Sequence, residues 1–122
     1  VQNNGLARIT AALVALSWWL QWGTGSGAAA TANAVTTTST TESRASVSSP
    51  SQQTTTVSND TLQLAATITA AGARAITEVG AFDAAGSSSP PTGGNMDVYG
   101  DFSVINLATN DSIAFTINVA FS

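Results

Sequence analysis

Two segments of the chain alternate apolar and polar positions without a break. Leu62, Leu64, Ala66 and Ile68 interleave with Gln63, Ala65, Thr67 and Thr69; Ile113, Phe115, Ile117, Val119 and Phe121 interleave with Ala114, Thr116, Asn118 and Ala120. Successive side chains of a strand point to opposite faces, so both segments predict strands with one buried face. Each follows the same signal, "NDT" at Asn59 and "NDS" at Asn110. Asn and Asp bond their own backbone and tolerate left-handed geometry, so each pair marks a turn feeding a strand. Both triplets are also glycosylation sequons, but nothing else in the sequence requires secretion and the turn reading is preferred. Between them the pattern predicts a strand at about 74 to 82, a loop "AAGSSSPPTGGN" and one or two strands across "MDVYGDFSVINL".

The N-terminal pattern is helical. Leu6, Ile9, Leu13 and Leu16 fall on one face at helical spacing, which predicts a short amphipathic helix over about 4 to 16 packed on the domain. Arg8, the apolar run and "GAAATANA" also imitate a secretory signal, though a signal core needs no such face. The run is shorter than the roughly 20 residues of a membrane span. Next, Trp18, Leu20 and Trp22 share one parity and Trp19 and Gln21 the other, as a strand demands. Three tryptophans so close could form a stacking platform for sugars or bases; core filling with one ring at a subunit contact is preferred. Gly23, Gly25 and Gly27 resemble a phosphate loop only faintly, since no Lys-Ser/Thr and no helix pattern follows.

Residues 28 to 61 are rich in Ser and Thr. "SRASV" and "QTTTV" can be edge strands around a turn at Pro50, and part of the stretch is expected to be an extended arm that orders on a neighbour. The expected fold is all-β: a small antiparallel β-sandwich or partly closed barrel, with an N-terminal helix in 1–17, the arm at 28–61 and the β core at 62–122.

Composition narrows the function. The 122 residues suit one domain. Only ten side chains are charged, three arginines and seven acids, and the net charge is −4. A folded chain of this size exposes on the order of 6,000 Å², leaving roughly 600 Å² per charge, far sparser than a solvated surface, so neighbours are expected to cover part of it. The acidic balance, without lysine, argues against nucleic acid and anionic membranes. Histidine and cysteine are absent, which removes thiolate chemistry, Ser-His-Asp arrangements and the usual zinc sites.

Glu78 is the one conspicuous carboxylate, set in the apolar "RAITEVGAFDAA" with the parity of Ile76, Gly80 and Phe82. It should face the core unless a bulge near Gly80 resets the alternation. A buried carboxylate needs a partner, and Arg8, Arg44 and Arg74 are the cations on offer. A catalytic role would need a second carboxylate roughly 5 to 9.5 Å away, and Asp83, Asp97 and Asp101 are near only in sequence. A structural ion pair or hydrogen-bonded acid is preferred, with no catalytic residue and no cofactor. Calcium ligation by Asn95, Asp97 and Asp101 is conceivable from their oxygens but lacks the EF-hand spacing, so no metal is expected.

"GLARIT", "LQWGTGSG", "NDTLQLAATITA", "AITEVGAFDAA" and "GGNMDVYGDFSVINLATNDSIAFTINVAFS" together resemble a family of small structural proteins of tailed bacteriophages, most densely from 59 to 122. The resemblance carries no catalytic signature and implies that Thr77 to Ala84 are framework. The loop "GSSSPPTGG" is longer than the family's usual turn. The resemblance implies a virion structural protein without separating head from tail; together with the sparse charge it makes the leading expectation a capsid decoration, or cement, protein on the surface of the virion head, assembled in the bacterial cytoplasm. Its partners would be the major capsid protein and copies of itself as a dimer or trimer; a tail-associated protein and a secreted carbohydrate-binding module are the alternatives. The expected contacts are the arm, Trp18, Trp19 and Trp22, and the loop 86–95, with Arg44, Arg74, Glu78 and Phe82 as further structural or interface residues.

Overall fold

The computed structural model describes residues 1–25 and 40–122. Within them lie one helix, α1 (Asn3–Val14), and seven strands: β1 (Trp19–Gly23), β2 (Ala45–Ser46), β3 (Ser51–Gln53), β4 (Thr61–Thr69), β5 (Arg74–Phe82), β6 (Met96–Leu107) and β7 (Ser112–Ala120). All pairings are antiparallel and make two sheets, β2-β1-β5-β6 and β3-β4-β7. The result is a β-sandwich; barrel closure is not seen among the described residues.

The alternating segments behave as their pattern requires. β4 and β7 pair in one unbroken register from Thr61↔Ala120 to Thr69↔Ser112. Both Asn-Asp turns are as expected, with Asn59 at φ 60° and Asn110 at φ 72°. The core lies between the sheets: Trp18, Leu20, Trp22, Ile76, Val79 and Ala81 face Leu62, Leu64, Ile68 and Phe115. Trp22 meets Phe115 edge-on, centroids 6.4 Å apart. Each such fully buried large side chain contributes about 1.5–3 kcal/mol.

Two expectations are corrected. The helix turns a different face inward: Leu6 and Thr10 are buried and Leu13 and Val14 half-buried, while Ile9 and Leu16 are exposed. Thr10 overrides the apolar periodicity because its hydroxyl donates to the Asn59 carbonyl at 2.6 Å and accepts from Gln52 Nε2 at 2.8 Å, which ties α1 to the second sheet. Part of the expected arm, 28–39, lies outside the described residues, but residues 40–61 are integral to the domain, with Thr40, Arg44, Val47 and Asp60 buried. "SRASV" holds β2, whereas "QTTTV" contributes only Gln53 to a strand. The rest bends around Asp60, whose carboxylate accepts the backbone N–H of Thr55, Thr56 and Val57. The stretch "MDVYGDFSVINL" forms the single strand β6, within the expected one or two, but its pairing is irregular. Its pairing with β5 jumps from Ile76↔Ile105 to Glu78↔Asp101 and again from Ala81↔Val98 to Phe82↔Met96. The extra residues at the first jump leave Val104 52% exposed, although its parity matches Phe102.

Candidate functional site

Glu78 does not face the core. Trp22 and Val79 are opposite each other and both lie in the core, so the neighbouring pair Gly23↔Glu78 points to the outer face of the first sheet. Ile76 and Val79 are both core residues three apart, so the alternation resets between them, at the register jump rather than near Gly80. Glu78 is nevertheless 1% exposed. Its Oε2 accepts the Tyr99 hydroxyl at 2.9 Å and its Oε1 the Gly25 backbone N–H at 3.2 Å. A phenol and a backbone amide thus hold it, and no described arginine pairs with it. Position 23 must be glycine for this packing, since a Cβ there would run into Glu78 Oε1. The Thr77 hydroxyl donates to the Gly25 carbonyl, so two consecutive side chains of β5 hold the chain where it leaves β1.

Arg44 and Phe82 form a second cluster on the same outer face. The Arg44 guanidinium stacks on the Phe82 ring, 3.7 Å from its centroid, and donates to Gln21 Oε1 at 2.8 Å, the Ala84 carbonyl at 2.8 Å and the Gly93 carbonyl at 2.9 Å. Burial lowers its pKa, opposed by the Asp83 charge. The loop 84–95 is therefore folded back on the sheet: Pro91 is buried, Gln21 Nε2 reaches its carbonyl, and Ser87 and Thr92 exchange backbone hydrogen bonds. Asp83 and Asn95 clasp its ends, the Asn95 backbone N–H and amide both donating to the Asp83 carboxylate. These bonds hold Asp83 below the usual carboxylate range, whereas burial and the Asp83 charge push Asp97 up. Residues 85–90 and 92–95 form the loop's exposed rim.

Arg74 pairs with Glu42 at 3.0 Å, and Glu42 also accepts the Ala71 N–H and the Trp22 indole N–H. Burial works against that carboxylate, but these donors prevail and lower its pKa. Of the tryptophans, Trp18 is 4% and Trp22 1% exposed, so neither ring face can stack on a sugar. Trp19 is half-buried opposite Phe82.

Chemistry finds little purchase here. Asp101 stands opposite Glu78 in the ladder, the carboxylate pairing that sequence proximity could not select. Glu78, however, is 1% exposed with a donor on each oxygen, an arrangement that suits anchoring. No three His, Cys, Asp or Glu side chains gather as a metal site among the described residues, and Asn95 is engaged by Asp83. A groove of about 500 Å³ between the start of α1 and the 56–59 turn is lined by Asn3, Asn4, Ala7, Thr56, Val57, Ser58 and Asn59, with no titratable side chain. No described helix is long and apolar enough to cross a membrane.

Sequence reasoning missed Gln21, Glu42, Asp60 and Tyr99 as organising residues. Asp60 alone carried a signal, its place in the Asn-Asp turn; the others act through partners tens of residues away. Comparison with protein-family models, curated proteins and solved structures finds no match to this chain.

Proposed function

We propose that the chain is a non-enzymatic structural protein of a tailed-phage virion, a capsid decoration protein that binds the outer face of the major capsid lattice and stabilises the head. The observation that supports this most is the second sheet. β3, β4 and β7 contain no charged residue, and their outward positions Gln63, Ala65, Thr67, Thr69, Ser112, Ala114, Thr116 and Asn118 are short or neutral. Surfaces meant for water carry roughly a quarter to a third charged residues, whereas the middle of a protein interface is depleted of them. The buried and half-buried ionic groups are meanwhile spent on holding loops: Glu78 on the exit from β1, Arg44 on the 84–95 loop, Glu42 and Arg74 on the 40–44 segment. Stabilisation would follow from linkage, because a protein that binds only the assembled lattice favours that state by its binding free energy.

The test is copy number in purified particles by quantitative mass spectrometry. Hundreds of copies per particle support decoration of the head. A few to dozens would move the protein to the tail, and absence from particles would overturn the virion reading.

A further inference from the structure

The four outer edges of the two sheets are not alike. β2 has two residues and β3 three, too short to template another strand, and Pro50 directly precedes β3. β6 is long but carries two register jumps and two carboxylates, Asp97 and Asp101. Short strands, bulges, proline and charge are the devices by which sheet edges avoid pairing with other chains. β7 has none of them: nine residues, SIAFTINVA, without charge, proline, glycine or bulge, and no described strand on its outer side.

The direction of its free backbone groups follows from the flanking hydrogen bonds. The Phe121 N–H donates to the Asp60 carbonyl and the Asp111 carbonyl accepts from Ala70, so odd-numbered residues bond toward β4. Hydrogen bonding alternates along an antiparallel ladder, so Ser112, Ala114, Thr116, Asn118 and Ala120 direct N–H and C=O to the open edge. The apolar residues on the inward side, Ile113, Ile117 and Val119, are only half-buried.

We propose that β7 pairs with β7 of a second copy, antiparallel about a two-fold axis at Thr116, joining two three-stranded sheets into one of six strands. Among the described residues these amides and carbonyls have no strand beside them, a row that suits an extended strand, and a second β7, without charge or proline, meets it with no clash of charge. Full nine-residue overlap occurs only with the axis at Thr116, and there Thr116↔Thr116, Ala114↔Asn118 and Ser112↔Ala120 are all pairs whose groups point at each other. No like charges meet, although each copy has a net charge of −4. The inward faces bring Ile113 beside Val119 and Phe115 beside Ile117, covering what one copy leaves half-open. The contact is a strip about 30 Å long at ~3.4 Å per residue, small beside a standard interface, so association is concentration-dependent. The inference deepens the self-association expected of a lattice protein, yet its test uses purified protein and is separate from particle composition.

Thr116→Cys gives the chain its one thiol. A hydrogen-bonded antiparallel pair has Cα atoms ~5.5 Å apart, within disulfide reach. Oxidation is expected to convert this variant to a covalent dimer, while Thr67→Cys on the middle strand stays monomeric. Sedimentation of the parent at rising concentration should show the 12.2 kDa mass doubling. Thr116→Lys and Thr116→Pro should remain monomeric with an unchanged circular dichroism spectrum; proline is tolerated where the N–H faces away from the sheet. A parent that stays monomeric at millimolar concentration, a Thr116→Cys yield no higher than that of Thr67→Cys, or dimerisation undiminished in Thr116→Lys would each overturn the proposal.

Discussion

The Tyr99 hydroxyl of β6 donates to Glu78 Oε2 of β5 at 2.9 Å, on the face of the sheet turned away from the core. With the Gly25 N–H on the other oxygen, this makes the carboxylate a clamp between the edge strand and the exit of β1. Removing one partner of a buried hydrogen-bonded acid leaves the other unsatisfied, at about 1–3 kcal/mol. Tyr99→Phe should therefore lower unfolding free energy by that amount in urea titration. Glu78→Ala strands two donors and opens a void, and should lose roughly 2–4 kcal/mol. If Glu78→Ala is as stable as the parent, the clamp is not what holds these strands.

Arg44 acts through geometry more than charge. Lysine keeps the charge but cannot lie flat on Phe82 while donating to Gln21, Ala84 and Gly93, so Arg44→Lys should lose about 2 kcal/mol. The 84–95 loop should then become the first region to exchange its amide hydrogens. Protection of Ser87 and Thr92 equal to the parent's would count against this role.

The carboxylates give the pH dependence its sign. Asp60, Asp83 and Glu42 are held below their ordinary pKa values, Asp60 by the backbone N–H groups of Thr55, Val57 and Thr56 and by the Thr61 hydroxyl, against a lesser effect of burial. The stability they contribute is present above the unfolded carboxylate range, about pH 4, and is lost as pH falls through the folded values. Urea midpoints should be flat from pH 7 to 5 and drop below about pH 4. Asp97 is shifted the other way, by burial and then by the Asp83 charge, and so favours the fold when protonated. Asp97→Asn should match or exceed the parent at pH 7, while Asp60→Asn, whose amide cannot accept the three N–H groups, should be weaker. The reverse order would contradict these environments.

Tryptophan emission should be blue-shifted and largely protected from iodide, with Trp19 the most accessible of the three rings. Addition of glycans should leave it unchanged. Quenching by a sugar would require stacking on the half-buried Trp19 or release of Trp18 or Trp22 from the core, and would revive the carbohydrate-binding alternative.

What could be read from the residues divides along the two sheets. β4 and β7 were legible because each has one wet and one dry face in an unbroken ladder, and Asn59 and Asn110 advertise left-handed turns. The outward flip of Glu78 was not, because the register jump that causes it depends on how many residues β6 places opposite Thr77. The helix face was misread because Thr10, polar by identity, is buried by its bonds to Asn59 and Gln52. Arg44 and Arg74 could be named as rare cations, but their partners, main-chain carbonyls and a glutamate 32 residues away, are products of the fold. The neutral outer face of the second sheet was present in the composition all along, and became a surface only once β4 and β7 were seen side by side.

The central claim is that this chain coats a virion head, and gold-labelled antibody against it on purified particles from the source culture, viewed by electron microscopy, tests it most directly. Label spread over the heads is the predicted result. Label confined to tails, or particles without label, would contradict it.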